Sequence, residues 1–334
     1  MTAYLRLHPN ADLLFIGSDQ GFEGRLVAAR GFELASLPAF PYMRQGVIGK
    51  LKAIATLPKG TLAARSILRQ RRAQVVLSLG GYAAAPTVLA AWTLGIPVLG
   101  FESNVQPGLV HRKATGILQR MLVAWEEAAA HFPAHKTKVT GTPVFSRSLR
   151  KSAPASRLRI LVVGGSEGSP FLNQNIPGLL AALKDKGLDF SVSHQTGFDD
   201  PVVVQADYER RGLSVDVERF IEDMSGAYAQ ADFVISSAGA VTLAELACQG
   251  LPSLITAVGT VAEDHQTANA QAYCRATGSI EAPENSWDAP ALAAKLEATL
   301  SNPAELAALG RRAQALACPN AAEAIVEECE AVLR

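Results

Sequence analysis

Apolar residues along the chain gather in short, nearly uncharged runs, each followed by a longer stretch where they recur at helical spacing. Short apolar runs fit strands buried on both faces, and the amphipathic stretches fit helices. In the first half the runs predict strands over 13–16, 32–37, 75–79 and 97–101. Helices are predicted near 23–29, over about 49–72, over 86–94 and from about 108 onward. A polar, proline-bearing stretch around Lys151, Pro154 and Ser156 reads as a linker. The alternation then restarts at 158–163, with further strands over 190–194, 215–220, 232–235 and 253–256. Amphipathic helices near 305–317 and 321–333 close the chain. Strands alternating with helices build parallel sheets covered on both faces. The expected fold class is therefore α/β, two doubly wound Rossmann-like domains facing a cleft. Their expected bounds are 1–144 and 145–334, with the last helix packing back on the first domain.

Two of these strands run straight into glycine turns. Val75-Val76-Leu77-Ser78-Leu79 leads into Gly80-Gly81-Tyr82, and Leu161-Val162-Val163 leads into Gly164-Gly165-Ser166-Glu167-Gly168-Ser169. Glycines let backbone approach a ligand, and the first N–H groups of the following helix attract an anion. A glycine turn can also merely connect, but one in each half suggests a phosphorylated ligand held from two sides. A third turn, Ser236-Ser237-Ala238-Gly239, opens the helix Ala240-Val241-Thr242-Leu243-Ala244-Glu245. Glu245 lies about one turn inside it. That position suits either an acid favoured by the helix dipole or a carboxylate that accepts ribose hydroxyls. Gln266 and Asn269 sit three apart and share a helix face, where a plain solvated helix start is the simpler reading. His131 and His135 have ligand-like spacing, but Pro133 between them argues against a regular helix and a metal.

Composition narrows the partners. The 334 residues include 31 Lys and Arg against 31 Asp and Glu, so an extended nucleic-acid surface is not expected. Cys248, Cys274, Cys318 and Cys329 show no zinc-type spacing and read as reduced, intracellular thiols. No signal peptide follows Met1. The stretch 75–101 carries no charge and is long enough for a bilayer, yet Gly80, Gly81, Pro86, Gly95 and Pro97 break it into a buried strand–helix–strand unit. Arg44, Lys50, Lys52 and Lys59 alternate with Met43, Val47, Ile48, Leu51, Ile54 and Leu57. Such a surface can rest on anionic lipid, although an ordinary amphipathic helix has the same pattern.

Taken in order, the motifs resemble the MurG family, lipid-linked N-acetylglucosaminyltransferases of peptidoglycan synthesis with the glycosyltransferase B fold. The resemblance rests on Gly80-Gly81-Tyr82 with Pro86, Glu102-Ser103-Asn104 with Pro107-Gly108, and Gly164-Gly165-Ser166-Glu167-Gly168 with Leu172-Asn173. It continues through Phe220-Ile221-Glu222-Asp223-Met224, the segment from Gly239 to Glu245 with Gly250-Leu251-Pro252, and His265-Gln266 with Asn269-Ala270. It implies that the second domain holds UDP-N-acetylglucosamine. Ser166 would meet the diphosphate, the Ile221 backbone uracil, Glu245 and its helix (Ala240, Val241, Thr242, Leu243, Ala244) the ribose side, and Gln266 with Asn104 the sugar. Gly80, Gly81, Tyr82 and Glu102 would serve an undecaprenyl-diphosphate-linked muramoyl peptide as acceptor. The implied enzyme is inverting, needs neither cofactor nor metal, and works peripherally on the cytoplasmic face of an anionic membrane.

This chain departs from the family at several points. Phe101 replaces a histidine, Phe145 and Ser237 each replace an arginine, and the first glycine loop, whose histidine is the usual candidate base, is not found. The resemblance therefore names no catalytic base. The expectation is a start placed late, or a separate chain supplying the first strand and loop. Two other readings stay open: a non-phosphorylating UDP-N-acetylglucosamine 2-epimerase, and a sugar-nucleotide-binding protein without catalysis.

Overall fold

The computed structural model describes residues 1–17, 27–28, 30–37, 47–81, 84–144, 157–257 and 265–334, without the side chains of 47–55. The chain divides into two units, Met1–Gly141 with Asn320–Arg334, and Thr142–Pro319.

The second unit is built on one parallel sheet. Its strands are β7 (Leu158–Val163), β8 (Phe190–Gln195), β9 (Asp216–Glu218), β10 (Phe233–Ser237), β11 (Ser253–Thr256) and β12 (Ile280–Glu281). Their spatial order is β12-β11-β10-β7-β8-β9. The chain thus moves outward from β7 in one direction and then crosses back to β10 on the other side. In such sheets ligands gather where that order reverses, at the carboxyl ends of β7 and β10. The central strands β7, β10 and β11 are buried along most of their length because helices cover both faces. Phe233, Ile160 and Val162 pack with Ile176, Leu179, Leu180 and Leu183 of the helix Pro170–Asp185. That helix starts cleanly: Pro170 occupies its first turn, and Ser169 Oγ accepts from Leu172 N at 3.3 Å. At the opposite edge, the Arg159 guanidinium donates two hydrogen bonds of 3.0 and 3.1 Å to Asp232 and its backbone N–H a third of 3.0 Å, tying the start of β7 to the start of β10.

The first unit has β1 (Leu14–Gly17) paired with β2 (Glu33–Ser36), and a parallel sheet β3 (Val76–Ser78), β4 (Val98–Glu102), β5 (Arg120–Val123), β6 (Thr137–Val139). Among the described residues the two sheets share no strand pairing. One core nonetheless spans both. Leu37, Ile16, Val76, Val98, Met121 and Val123 pack with Leu68 of the helix Val47–Gln70 and Val88 of the helix Ala84–Leu94. On the other face Leu99, Phe101 and Leu122 meet Ile325 and Cys329 of the closing helix Ala321–Ala331. Tyr4 of the helix Thr2–Leu7 joins that cluster, and Glu328 accepts from both Arg120 and Lys138. Phe101 therefore points into the core.

Most strands lie where the apolar runs predict them, but β5, β6 and β12 do not. Arg120-Met121-Leu122-Val123 follows the short helix Leu109–Ala114 so closely that the pattern reads as one continuing helix. β9 is cut to three residues, and Phe220 is left outside it, half exposed. The expected helix near 23–29 lies outside the described residues except at 27–28, which are helical; the linker around 145–156, with Phe145, also lies outside them. The uncharged stretch from Val75 divides into β3, a helix and β4. Among the described residues no helix is long and apolar enough to cross a membrane.

Candidate functional site

Turn 164–169 connects β7 to the helix Pro170–Asp185, at the carboxyl end of the central strand. Two of its glycines, Gly164 and Gly168, are required by contact. A Cβ on Gly168, which has φ +82°, would stand 2.0 Å from the Thr196 carbonyl oxygen, and one on Gly164 would stand 2.2 Å from Ser169 N. Ser166 is exposed at the crest of this turn, where a phosphate would approach.

The partner turn, after β10, feeds the helix Ala240–Gln249. Its N-cap is Gly239 and no side chain caps it, so its first N–H groups are presented without competition from a side-chain acceptor. Asn269 Nδ2 donates to Ala238 O at 3.2 Å and holds the turn from below. Ala240, Val241, Thr242 and Ala244 are at least partly exposed, whereas Leu243 is wholly buried and its N–H is spent on Gly239 O. Leu243 thus anchors the helix in the core and is withdrawn from the ligand-facing set. Glu245 is half-buried. The Tyr228 hydroxyl donates to its Oε2 at 3.1 Å. Burial raises the Glu245 carboxyl above its ordinary value, and the Tyr228 bond partly offsets this.

The Ile221 N–H donates to Gln195 Oε1 at 2.9 Å, which leaves its carbonyl as the backbone group open to a ligand. Gln266 Oε1 is buried and has no hydrogen-bond partner, a state that costs free energy unless a ligand donor fills it. Behind the turn, burial pushes His194 down to about 4, so it is neutral. Its Nε2–H donates to Asn173 Oδ1 at 3.0 Å and its Nδ1 accepts from the Tyr208 hydroxyl at 2.8 Å.

In the first unit Gly80 and Gly81 have φ of +81° and +73°, and Tyr82 lies outside the described residues. Glu102 is buried and its carboxylate is filled by the chain itself. Oε1 accepts from Asn104 N and Nδ2, both at 3.1 Å; Oε2 accepts from Gly108 N at 2.9 Å and His111 Nδ1 at 3.1 Å. Glu102 therefore shapes the loop that carries Asn104, and its oxygens are not turned to an acceptor. An ionised carboxylate only accepts, so His111 Nδ1 carries the proton and its Nε2 accepts from Ser78 Oγ at 3.3 Å. Ser78 Oγ in turn accepts from Gly80 N at 3.3 Å. This chain of bonds runs from the glycine turn to the Asn104 loop. Sequence reasoning missed Ser78, His111, Gln195 and Tyr228. Polar residues closing an apolar strand, as in Ser78 and Gln195, are the signal that was available. Among the described residues no cluster of His, Cys, Asp and Glu could hold a metal ion.

Residues 5–123 match the Glycosyltransferase family 28 N-terminal domain, and residues 159–325 match its C-terminal domain. The chain belongs to glycosyltransferase family 28. Within family 28 it is 34% identical, over 98% of its length and 87% of the relative's, to an Anaeromyxobacter sp. (strain Fw109-5) protein. That relative is named UDP-N-acetylglucosamine--N-acetylmuramyl-(pentapeptide) pyrophosphoryl-undecaprenol N-acetylglucosamine transferase. A Geobacter sulfurreducens relative of the same name is 34% identical over 97% of this chain and 91% of its own. The crystal structure of Acinetobacter baumannii MurG superposes with a TM-score of 0.78 at 28% identity, covering 98% of this chain and 94% of that one. This family 28 chain is thus a MurG-type glycosyltransferase with the two Rossmann-like units of the glycosyltransferase B fold. A Neisseria meningitidis UDP-GlcNAc 2-epimerase superposes with a TM-score of 0.69 at 14% identity, over 97% of this chain and 93% of that one, which shows shared fold alone.

The filled Glu102 carboxylate generates a pH test. Burial alone would raise this carboxyl, but the bonds from His111, Gly108 and Asn104 outweigh burial and hold it below the usual range. With its folded pKa lowered, the stabilisation is present above the unfolded value and is lost as pH falls through the folded one. Glu102→Gln is expected to be less stable by about 1–3 kcal/mol at neutral pH, since an amide mismatches at least one donor. It should also lose less stability than the native protein on acidification to about pH 4, measured by urea unfolding. Identical pH slopes would remove Glu102 from this role.

Proposed function

We propose that this protein transfers N-acetylglucosamine from UDP-N-acetylglucosamine to the 4-hydroxyl of the muramoyl sugar in an undecaprenyl-diphosphate-linked peptide, with inversion. The observation that carries the donor side is the pairing, in one unit, of an exposed Ser166 turn with an uncapped helix start at Gly239. Developing charge on a leaving diphosphate is stabilised by such preorganised N–H groups. Glu245 accepts from the ribose hydroxyls through the oxygen that Tyr228 leaves open. The Ile221 carbonyl accepts from uracil N3–H, and Gln266 Oε1 accepts from a sugar hydroxyl. Asn104 is assigned to the sugar, and Gly80, Gly81 and Tyr82 to the acceptor diphosphate, by resemblance to the family. The names of the relatives support this choice of donor and acceptor.

The acceptor is lipid-linked, so the enzyme works at the cytoplasmic membrane surface as a peripheral protein. Leu62 and Trp92 support this reading. They project, 68% and 56% exposed, from the packed helices Val47–Gln70 and Ala84–Leu94, with exposed Lys59 on the first of these. Exposed apolar side chains beside a basic one suit the interface of an anionic bilayer. Arg44 and Met43 lie outside the described residues, as do the side chains of Lys50 and Lys52.

Glu245→Ala is expected to raise the UDP Kd at least tenfold, in line with a lost charge-assisted bond of about 1.5–3 kcal/mol, and to depress transfer in parallel. Because its folded carboxyl is raised, native UDP affinity should also decline more steeply on mild acidification than that of Glu245→Ala, the titration of UDP's own terminal phosphate being common to both. Unchanged UDP affinity in the folded variant, by calorimetry, would remove Glu245 from the site. Trp92→Glu combined with Lys59→Glu should weaken binding to vesicles containing phosphatidylglycerol and reduce its salt dependence. Equal sedimentation of native protein and variant with those vesicles would make the patch an ordinary helix surface.

A further inference from the structure

Gln195 closes β8 and is 2% exposed, yet both ends of its amide leave the strand. Nε2 donates to Gly165 O at 2.9 Å, and Oε1 accepts from Ile221 N at 2.9 Å. One side chain therefore spans from the turn assigned to the diphosphate to the segment assigned to the base. The backbone around it repeats the connection. Thr196 N donates to Glu218 O at 2.9 Å, Gly197 N to Arg219 O at 3.0 Å, and Phe198 N to Glu167 O at 2.9 Å. A Cβ on Gly197 would meet Glu167 O at 2.1 Å, so the two turns touch backbone to backbone.

The amide's orientation has a consequence for the ligand. A peptide unit is planar and trans, so the Gly165 carbonyl and the Ser166 N–H point in opposite directions. Fixing that carbonyl on Gln195, with Gly168 N also donating to it at 3.2 Å, aims the Ser166 N–H away from the core. Ser166 is exposed, so this N–H faces the position of an incoming phosphate. At the other end, holding the Ile221 N–H leaves a carbonyl, an acceptor only, to meet the base. That suits uracil, which offers N3–H, and not cytosine, whose N3 is an acceptor.

We infer that Gln195 is a positioning residue that sets the spacing and polarity of the diphosphate turn and the base-reading segment as one rigid unit. This rests on the donor assignment above. The test uses the full chain with Gln195→Glu and Gln195→Met, titrated with UDP and with uridine. Glu keeps an acceptor for Ile221 but has no donor for Gly165, so UDP should weaken at least tenfold and uridine less than threefold. Met keeps neither bond, so UDP and uridine should both weaken at least fivefold. UDP affinity within twofold of native in both variants would overturn the inference, as would equal losses for UDP and uridine in Gln195→Glu. Should the variants not fold, native protein labelled with nitrogen-15 decides. The Ile221 amide and the Gln195 side-chain amide should stay protected from exchange when UDP is bound, and loss of protection at Ile221 would show that UDP takes over its N–H. If Glu245→Ala also binds UDP normally, the donor assignment itself has failed; if only the Gln195 result fails, that assignment stands.

Discussion

Backbone-to-backbone contact at Gly168 and Gly197 is the constraint on which the second unit's site depends. Side chains would keep the turn after β7 and the turn after β8 several ångströms apart. Without them the Thr196 and Glu167 carbonyls come within 2.0 and 2.1 Å of where a Cβ would be. This closeness brings Gln195 within reach of Gly165 and lets Phe198 N bond to Glu167 O. Both glycines also have positive φ, +82° and +71°, which other residues adopt only with strain. Exposure of Ser166 follows from this contact, because the turn is drawn inward on either side of it.

The first unit solves a similar problem with a side chain. Its turn at Gly80 and Gly81 follows β3, which pairs with β4, and the buried carboxylate at the end of β4 makes the connection. Glu102 satisfies two backbone N–H groups, an Asn amide and a His ring, and His111 passes the connection through Ser78 to Gly80 N. A buried charge is costly unless all its acceptor positions are used. Here they are used, which keeps the carboxyl ionised and the loop in one shape. His111 also lies against Gly80, whose Cβ would be 3.0 Å from the ring.

The central strands and both glycine turns are legible in the sequence because a doubly covered parallel strand is a continuous apolar run and its turn needs glycine. β5 is less legible: its four residues follow a helix of six, and the five residues between them include apolar Ile117 and Leu118, so no break shows in the pattern. β6 and β12 are too short to show a run. At the site, Glu245 and Gln266 stand out as polar residues at helix starts. The roles of Glu102 and Leu243 are not legible, since a motif names residues without saying which way they point. Gln195, His111 and Tyr228 escape for a related reason. Their partners lie 26, 9 and 17 residues away, and only folding brings them together.

The central claim is that the second unit grips the nucleoside diphosphate through the turn at 164–169 and the helix start at 240–245. Hydrogen–deuterium exchange of the full chain, with and without saturating UDP, tests it most directly. Slower exchange in peptides covering 164–169 and 240–245, with peptides covering β3 to β6 unchanged, is the expected result. Bound UDP that leaves both segments exchanging as before, or protects only the first unit, would contradict it.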